Sequence, residues 1–336
     1  MDLSTTYLGL RLPNPLVVGA SPLCDDLDMV RRLEDAGAAA IVMHSVFEEQ
    51  IVRERTRTAA DLDAHVDFAE ASSFLPRPPE FHLRPDEYLE QVRRIRAAVA
   101  IPVIGSLNGV TAAGWLGYAK LIQDAGASAL ELNTYYIASD PSEDSASVER
   151  RTLDIVRTVR RAVTIPIAVK LSPFFSALAH LAAALEAAGA DGLVLFNRFY
   201  QPDIDIVELE VRPVHHASDP SELLLRLRWL AILSGQRPRL ALAATGGVHG
   251  PHDVVKAVMA GAHAVQLVSA LLVHGPAHLR TVHDGVARTL DELGYASLSE
   301  MRGCMNLARC PDASALERAN YVRVLHSWRD GTPPVR

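Results

Sequence analysis

The segment AAGADGLVL, residues 187–195, reads as the last turn of a helix, a Gly-Ala turn and a short apolar run. Glycine suits the position just past a helix, where the backbone takes a positive φ. The apolar run does not alternate with polar residues, as expected for a parallel strand buried on both faces. The pattern recurs as DAGAAAIVM (35–43), DAGASALEL (124–132) and MAGAHAVQL (259–267), and such self-similarity marks a repeated structural unit. Four more runs have the same character without the lead-in: PLVVGAS (15–21), IPVIGSL (101–107), IPIAVKL (165–171) and RLALAAT (239–245).

These are eight strands, centred near residues 18, 41, 104, 130, 168, 194, 242 and 266. Helical patterns lie between them at 26–36, 85–98, 111–125, 147–162, 175–188, 221–233 and 251–260, and another follows the last strand at 277–293. Eight strand–helix units in order predict an α/β fold, a (β/α)8 TIM barrel. A doubly wound open sheet fits less well, because no GxGxxG follows the first strand. No Gly-, Ser- or Pro-rich linker interrupts the chain, so residues 1–336 read as a single domain. Residues 4–14 predict an N-terminal hairpin closing the barrel floor, and 296–336 a C-terminal helical extension. The loops at 45–84 and 197–220 are longer than a plain turn, and long loops on that face usually carry function.

Composition narrows the function classes. A net charge of −7 argues against nucleic acid, since phosphate binding needs a basic surface. Mean hydropathy is +0.10, and no apolar run reaches the roughly 18 residues of a spanning helix, so no membrane partner is expected. The first residues have neither a basic nor an apolar leader segment, so no signal peptide is expected. Cys24, Cys304 and Cys310 form no CxxC pair, which favours the cytoplasm and argues against a zinc or iron–sulfur site.

Chemistry in such barrels sits at the C-terminal strand ends. Those ends read Ala20-Ser21, His44-Ser45, Ser106 to Asn108, Asn133 to Tyr136, Lys170, Asn197-Arg198, Thr245 to Gly247, and Ser269. ATGGVHG (244–250) opens a helix with two glycines, whose free N–H groups can cradle a phosphate; a tight turn without a ligand is the alternative. Lys170 ends an apolar run, where a lysine needs a partner. That partner is either a bound group on which negative charge develops, as on a flavin, or a carboxylate such as Glu131. Asn133 and Asn197 offer donor and acceptor together, suiting a flavin edge or a planar carboxylate, or else tying down a loop. His44 is a base, a flavin contact or a plain strand end.

Together, TTYLGLRLPNPLVVGAS (5–21), GSLNG (105–109), ELN (131–133), PIAVKLSPFF (166–175), ATGGV (244–248) and VQLVSALL (265–272) carry a resemblance. The chain resembles the dihydroorotate dehydrogenase family over about residues 4–293, especially its soluble class 1 members. The resemblance implies a TIM barrel holding FMN at its mouth, a homodimer and a place in pyrimidine metabolism. It implies cofactor contacts from Ala20, Ser21, Asn133, Lys170, Asn197, Thr245, Gly246, Gly247 and Ser269; His44, Ser45 and Asn108, at neighbouring strand ends, are further cofactor-contact candidates. Asn133 and Asn197 would face the substrate; a further pocket asparagine of the family, in the long loop after strand two, has no clear match here, and Ser73 lies nearest to it.

The chain departs from the family in the loop after strand four, where a cysteine or serine base stands in a motif like N-L-S-C-P-N. Here the residues read Asn133-Thr134-Tyr135-Tyr136-Ile137-Ala138. The base position falls on Tyr136 and the second motif asparagine on Ala138. His44 replaces the lysine after strand two. Flavin-binding positions are thus better kept than substrate-binding ones. A phenol, with a pKa near 10, is a poor base at neutral pH but a ready proton donor.

The leading expectation is an FMN-dependent oxidoreductase acting on a CH–CH group. It exchanges hydride between flavin N5 and a small carbonyl- or carboxylate-bearing substrate, with Tyr136 and Lys170 as catalytic residues. The electron acceptor is unspecified. A flavin-binding protein or redox partner that has lost this chemistry is the second reading. A flavin-free phosphate-binding isomerase is the third, and it lacks a carboxylate pair at the strand ends.

Overall fold

The four repeated Gly-Ala turns fold as the pattern requires. Gly37, Gly126, Gly189 and Gly261 each follow a helix with φ between 100° and 118° and lead directly into a strand. The computed structural model describes residues 1–47, 84–109, 112–198, 202–213, 216–311, 313 and 322.

The barrel strands are β3 (Leu16–Val18), β4 (Ala40–Val42), β6 (Val103–Asn108), β7 (Ala129–Asn133), β8 (Ile167–Leu171), β9 (Gly192–Leu195), β12 (Ala241–Thr245) and β13 (Ala264–Leu267). All neighbours are parallel, and pairing of β4 with β6 closes the ring. The two-residue strand β5 (Val46–Phe47) adds to the upper end of β6. Helices cover the outside: α1 (Leu27–Asp35), α2 (Pro85–Ala98), α3 (Ala112–Asp124), α4 (Ser145–Ala162), α5 (Leu178–Ala188), α6 (Leu223–Gln236), α7 (Pro251–Ala260) and, beyond the short α8 (Ser269–His274), α9 (His278–Glu292). The eight expected barrel strands and the eight helices expected between and after them form within about three residues of their expected bounds, the usual scatter of element ends; most of the helical extension expected over 296–336 lies outside the described residues.

The barrel interior is lined largely by small residues, among them Ala40, Ala129, Ala168, Ala243 and Ala264. They leave room for the N-terminal hairpin, β1 (Thr5–Tyr7) and β2 (Leu10–Leu12). The hairpin presses Tyr7, Leu8 and Leu12 into the same cluster, each at most 3% exposed. A Cβ on Gly192 would stand 2.6 Å from Leu8 Cδ2, so the floor is packed to contact. Burying each such side chain contributes roughly 1.5–3 kcal/mol. A second, larger apolar layer joins the strands to the outer helices.

The loop after β9 differs from expectation, because part of it pairs as an antiparallel hairpin, β10 (Pro202–Asp205) and β11 (Glu210–Pro213). Leu209, at φ 55°, takes the left-handed turn position between these strands. Beyond α9, the described part of the C-terminal extension is short: α10 (Leu298–Met301) and one 3-10 turn, Leu307–Arg309. Residues 48–83 lie outside the described residues, and so does Ser73. No helix among the described residues is long and apolar enough to cross a membrane.

Candidate active site

Inward-facing positions turn polar toward the C-terminal ends of the strands. Asn108, Asn133 and Lys170 share one rung of β6, β7 and β8. Two residues below Asn133, and so on the same face, Glu131 is 1% exposed. It points inward. Lys170 Nζ donates to Glu131 Oε1 at 3.3 Å, and Gln266 Nε2 to Glu131 Oε2 at 2.6 Å.

Above this layer opens a cleft of about 230 Å³. Ala20 and Ser21 border it after β3, Lys170 on β8, Asn197 after β9, Thr245 and Gly246 at the end of β12, and Ser269 after β13. The structure thus gathers seven of the expected residues around one cavity. Lys170 pairs with Glu131, the carboxylate named as its alternative partner, and also borders the cleft. Asn133 joins through Asn197, whose Nδ2 donates to Asn133 Oδ1 at 2.5 Å.

The turn after β12 is shaped for close backbone approach. Gly246 has φ 85° and Gly247 φ 77°. A Cβ on Gly246 would meet Arg226 Nη2 at 2.7 Å, and one on Gly247 would meet Leu223 N at 2.4 Å. Arg226, 5% exposed, braces the turn from α6. Its Nε donates to Thr245 O at 2.8 Å and its Nη1 to Glu222 O at 2.5 Å. Burial pushes the guanidinium pKa down, with the Glu222 carboxylate opposing that shift.

Other expected residues stand outside the cleft lining. His44 Nδ1 lies 3.4 Å from Asp25 Oδ1, and Ser45 Oγ lies 2.7 Å from Ser106 Oγ. Asn108 is half-buried at the top of β6. Tyr136 is half-buried on the loop after β7; its hydroxyl donates to Glu143 Oε2 at 2.6 Å. Arg151 pairs with the other oxygen of Glu143 and stacks over the Tyr136 ring, 4.1 Å from its centroid. Among the described residues, no group of three or more His, Cys, Asp or Glu could hold a metal ion.

Three contributors escaped the sequence reading: Gln266, Arg226 and Ser218. Gln266 and Ser218 border the cleft. Ser218 N donates to Ser269 Oγ at 3.0 Å, and Ser218 Oγ lies 3.2 Å from His249 Nε2. The usable signal was a polar residue inside an apolar run, Gln266 in AVQL and Arg226 in LLLRLRWL. Buried polar groups need partners and so mark built sites.

The family model for dihydroorotate dehydrogenase matches residues 83–290, more than half of the chain. The chain belongs to the dihydroorotate dehydrogenase family. Among curated relatives, the NAD-dependent dihydropyrimidine dehydrogenase subunit PreA of Escherichia coli K12 is 24% identical over 343 aligned residues, covering 96% of this chain and 80% of the relative. The dihydroorotate dehydrogenase B (NAD(+)) catalytic subunit of Thermoplasma acidophilum is 27% identical over 314 residues, covering 90% and 98%. The corresponding subunit of Pyrococcus abyssi is 27% identical over 311 residues, with the same coverage. Each of these relatives aligns over at least 90% of this chain.

Proposed function

We propose that this oxidoreductase of the dihydroorotate dehydrogenase type uses FMN to exchange hydride with a small carbonyl- or carboxylate-bearing substrate at a CH–CH group. The observation that carries the reading is the cleft itself. Lys170, Asn197 and Gly246 line one cavity, with Asn133 bonded to Asn197 and Gly247 next to Gly246 in the turn.

The residues fit such a cofactor on two independent grounds. Two buried polar atoms at the cleft, Ser21 Oγ and Gln266 Oε1, have no protein partner, and such atoms are costly unless a ligand or water satisfies them. The turn after β12 is restricted to glycine, because Arg226 and Leu223 leave no space for a Cβ and φ is positive at both positions, so its backbone N–H groups carry no side chain beside them.

FMN bound there supplies a centre that accepts and donates hydride. The chain does the rest. Lys170 provides a fixed positive charge where negative charge develops, the strongest kind of help a preorganised site gives. Thr245, Gly246, Gly247 and Ser269 are the residues to hold a phosphate through backbone and hydroxyl donors. Asn133 and Asn197, locked together, present one fixed amide edge. Tyr136 exchanges the proton on the second carbon, with Glu143 and Arg151 holding its hydroxyl in one orientation. His44, Ser45 and Asn108 form the rim on the β4–β6 side. Ser73 is the further residue proposed for the substrate side.

A second reading is an FMN protein that has lost this chemistry and serves as a redox partner. The Tyr136 hydroxyl, engaged with Glu143 outside the cleft lining, favours it. Turnover separates the two readings: reduction of the bound flavin by candidate CH–CH substrates supports the enzyme, and a yellow protein inert to all of them supports the second. A homodimer belongs to the same proposal. Ile204, Ile206, Val207 and Leu209 on the β10–β11 hairpin are exposed apolar residues that support it, and light scattering tests it.

A further inference from the structure

Glu131 is the most deeply buried charge at the barrel mouth, and the reaction as described gives it no role. Its two oxygens are taken by two residues that both border the cleft, Lys170 and Gln266. A carboxylate facing an ammonium only accepts hydrogen bonds. Gln266 must therefore turn its amide nitrogen toward Glu131 and its carbonyl oxygen away. That oxygen is buried without a protein partner. It lies 3.2 Å from where a Cβ on Gly19 would stand, next to the cleft residues Ala20 and Ser21. Any side chain at residue 19 would crowd it.

We propose that Glu131 is a positioning residue that presents Lys170 as a donor and Gln266 as an acceptor, side by side on the cleft floor. The pair selects a flat ring whose edge carries carbonyl oxygens beside an N–H, a lactam or imide edge. This rests on the FMN reading above, because the pyrimidine part of a flavin has such an edge. Glu131 has a second effect. It offsets the Lys170 charge, so the ring meets a balanced ion pair and not a bare cation. Removing the carboxylate leaves the ammonium uncompensated and favours reduction of the bound ring.

The test titrates flavin-stripped protein with FMN and measures the midpoint potential of the reloaded protein, for the parent, Glu131→Gln and Gln266→Met. Glu131→Gln is expected to weaken FMN binding about tenfold or more and to shift the potential to more positive values. Gln266→Met is expected to weaken binding about tenfold with a smaller shift in potential. A purely structural role for Glu131 would lower thermal stability without the positive shift. Variants that bind FMN as tightly as the parent, at the parent's potential, overturn the inference while leaving the FMN reading intact. A parent that takes up no FMN overturns both. If Glu131→Gln does not fold, Gln266→Met decides, and unchanged affinity there is the contrary result.

Discussion

The side chains of Asn133 and Asn197 meet at 2.5 Å, so the ends of β7 and β9 are tied by one amide–amide hydrogen bond across the intervening strand β8. Each amide is held by the other. Replacing either residue by alanine leaves its partner unfixed. Each single variant is expected to weaken FMN binding by about 1 kcal/mol, roughly fivefold. The double variant is expected to cost less than the sum, since contacting residues couple. A double-mutant cycle on FMN affinity gives the answer, and strict additivity would show that the two amides act separately.

Tyr136→Phe removes the hydroxyl and keeps the ring under Arg151. If the phenol transfers the proton, kcat on the true substrate should fall about 10²- to 10⁴-fold, while FMN binding and its spectrum stay unchanged. Stopped-flow reduction of the bound flavin separates the effect from binding. A variant as fast as the parent would remove Tyr136 from the mechanism. Orotate formation with an artificial electron acceptor tests dihydroorotate itself as the substrate.

Gly247→Ala puts a methyl 2.4 Å from the Leu223 backbone nitrogen at a φ of 77°. Backbone cannot yield as a flexible side chain can, so the cost is expected to be about 2–3 kcal/mol. Thermal melting of the flavin-free protein reads it. Gly250→Ala, with open space around its Cβ position and no positive φ, should leave the melting temperature nearly unchanged.

His263 sits at the β12–β13 junction, where its Nδ1 accepts from Leu242 N at 3.1 Å. Burial, with help from the Arg302 charge, pushes its pKa down to about 4. The folded state therefore holds a neutral ring that the unfolded chain would protonate near pH 6.5. As pH falls, the unfolded state binds the proton first. Stability is full above about 6.5 and is lost progressively toward 4, by up to about 3 kcal/mol. Urea midpoints at pH 7.5 and 5.0 should differ more for the parent than for His263→Asn, which keeps an acceptor and cannot titrate. Equal differences would assign the acid sensitivity elsewhere.

The barrel was legible because its signal repeats. A glycine after each of four helices, followed by an unbroken apolar run, leaves little choice of architecture. Lys170, Thr245 and Ser269 were legible for a related reason: polar residues that end apolar strands mark the mouth. Glu131 and Gln266 were harder. Both sit inside strands, and only the closure of the barrel shows that positions on β7, β8 and β13 converge on one point. Arg226 was hidden in a helix whose other buried residues are three leucines and an alanine, and its task depends on a turn brought up from β12. Tyr136 was noticed for its place in a motif, but the motif says nothing of Glu143 and Arg151, seven and fifteen residues further on, which hold its hydroxyl. The β10–β11 hairpin was missed because its exposed apolar residues read as loop.

The account turns on FMN in the cleft between Ser21, Lys170 and the Gly246-Gly247 turn. The visible absorption spectrum of the purified protein, before and after incubation with FMN and removal of excess, tests it most directly. The account predicts a yellow protein with the two bands of an oxidised flavin, one flavin per chain, released as FMN on denaturation. A colourless protein that retains no FMN after incubation would contradict it.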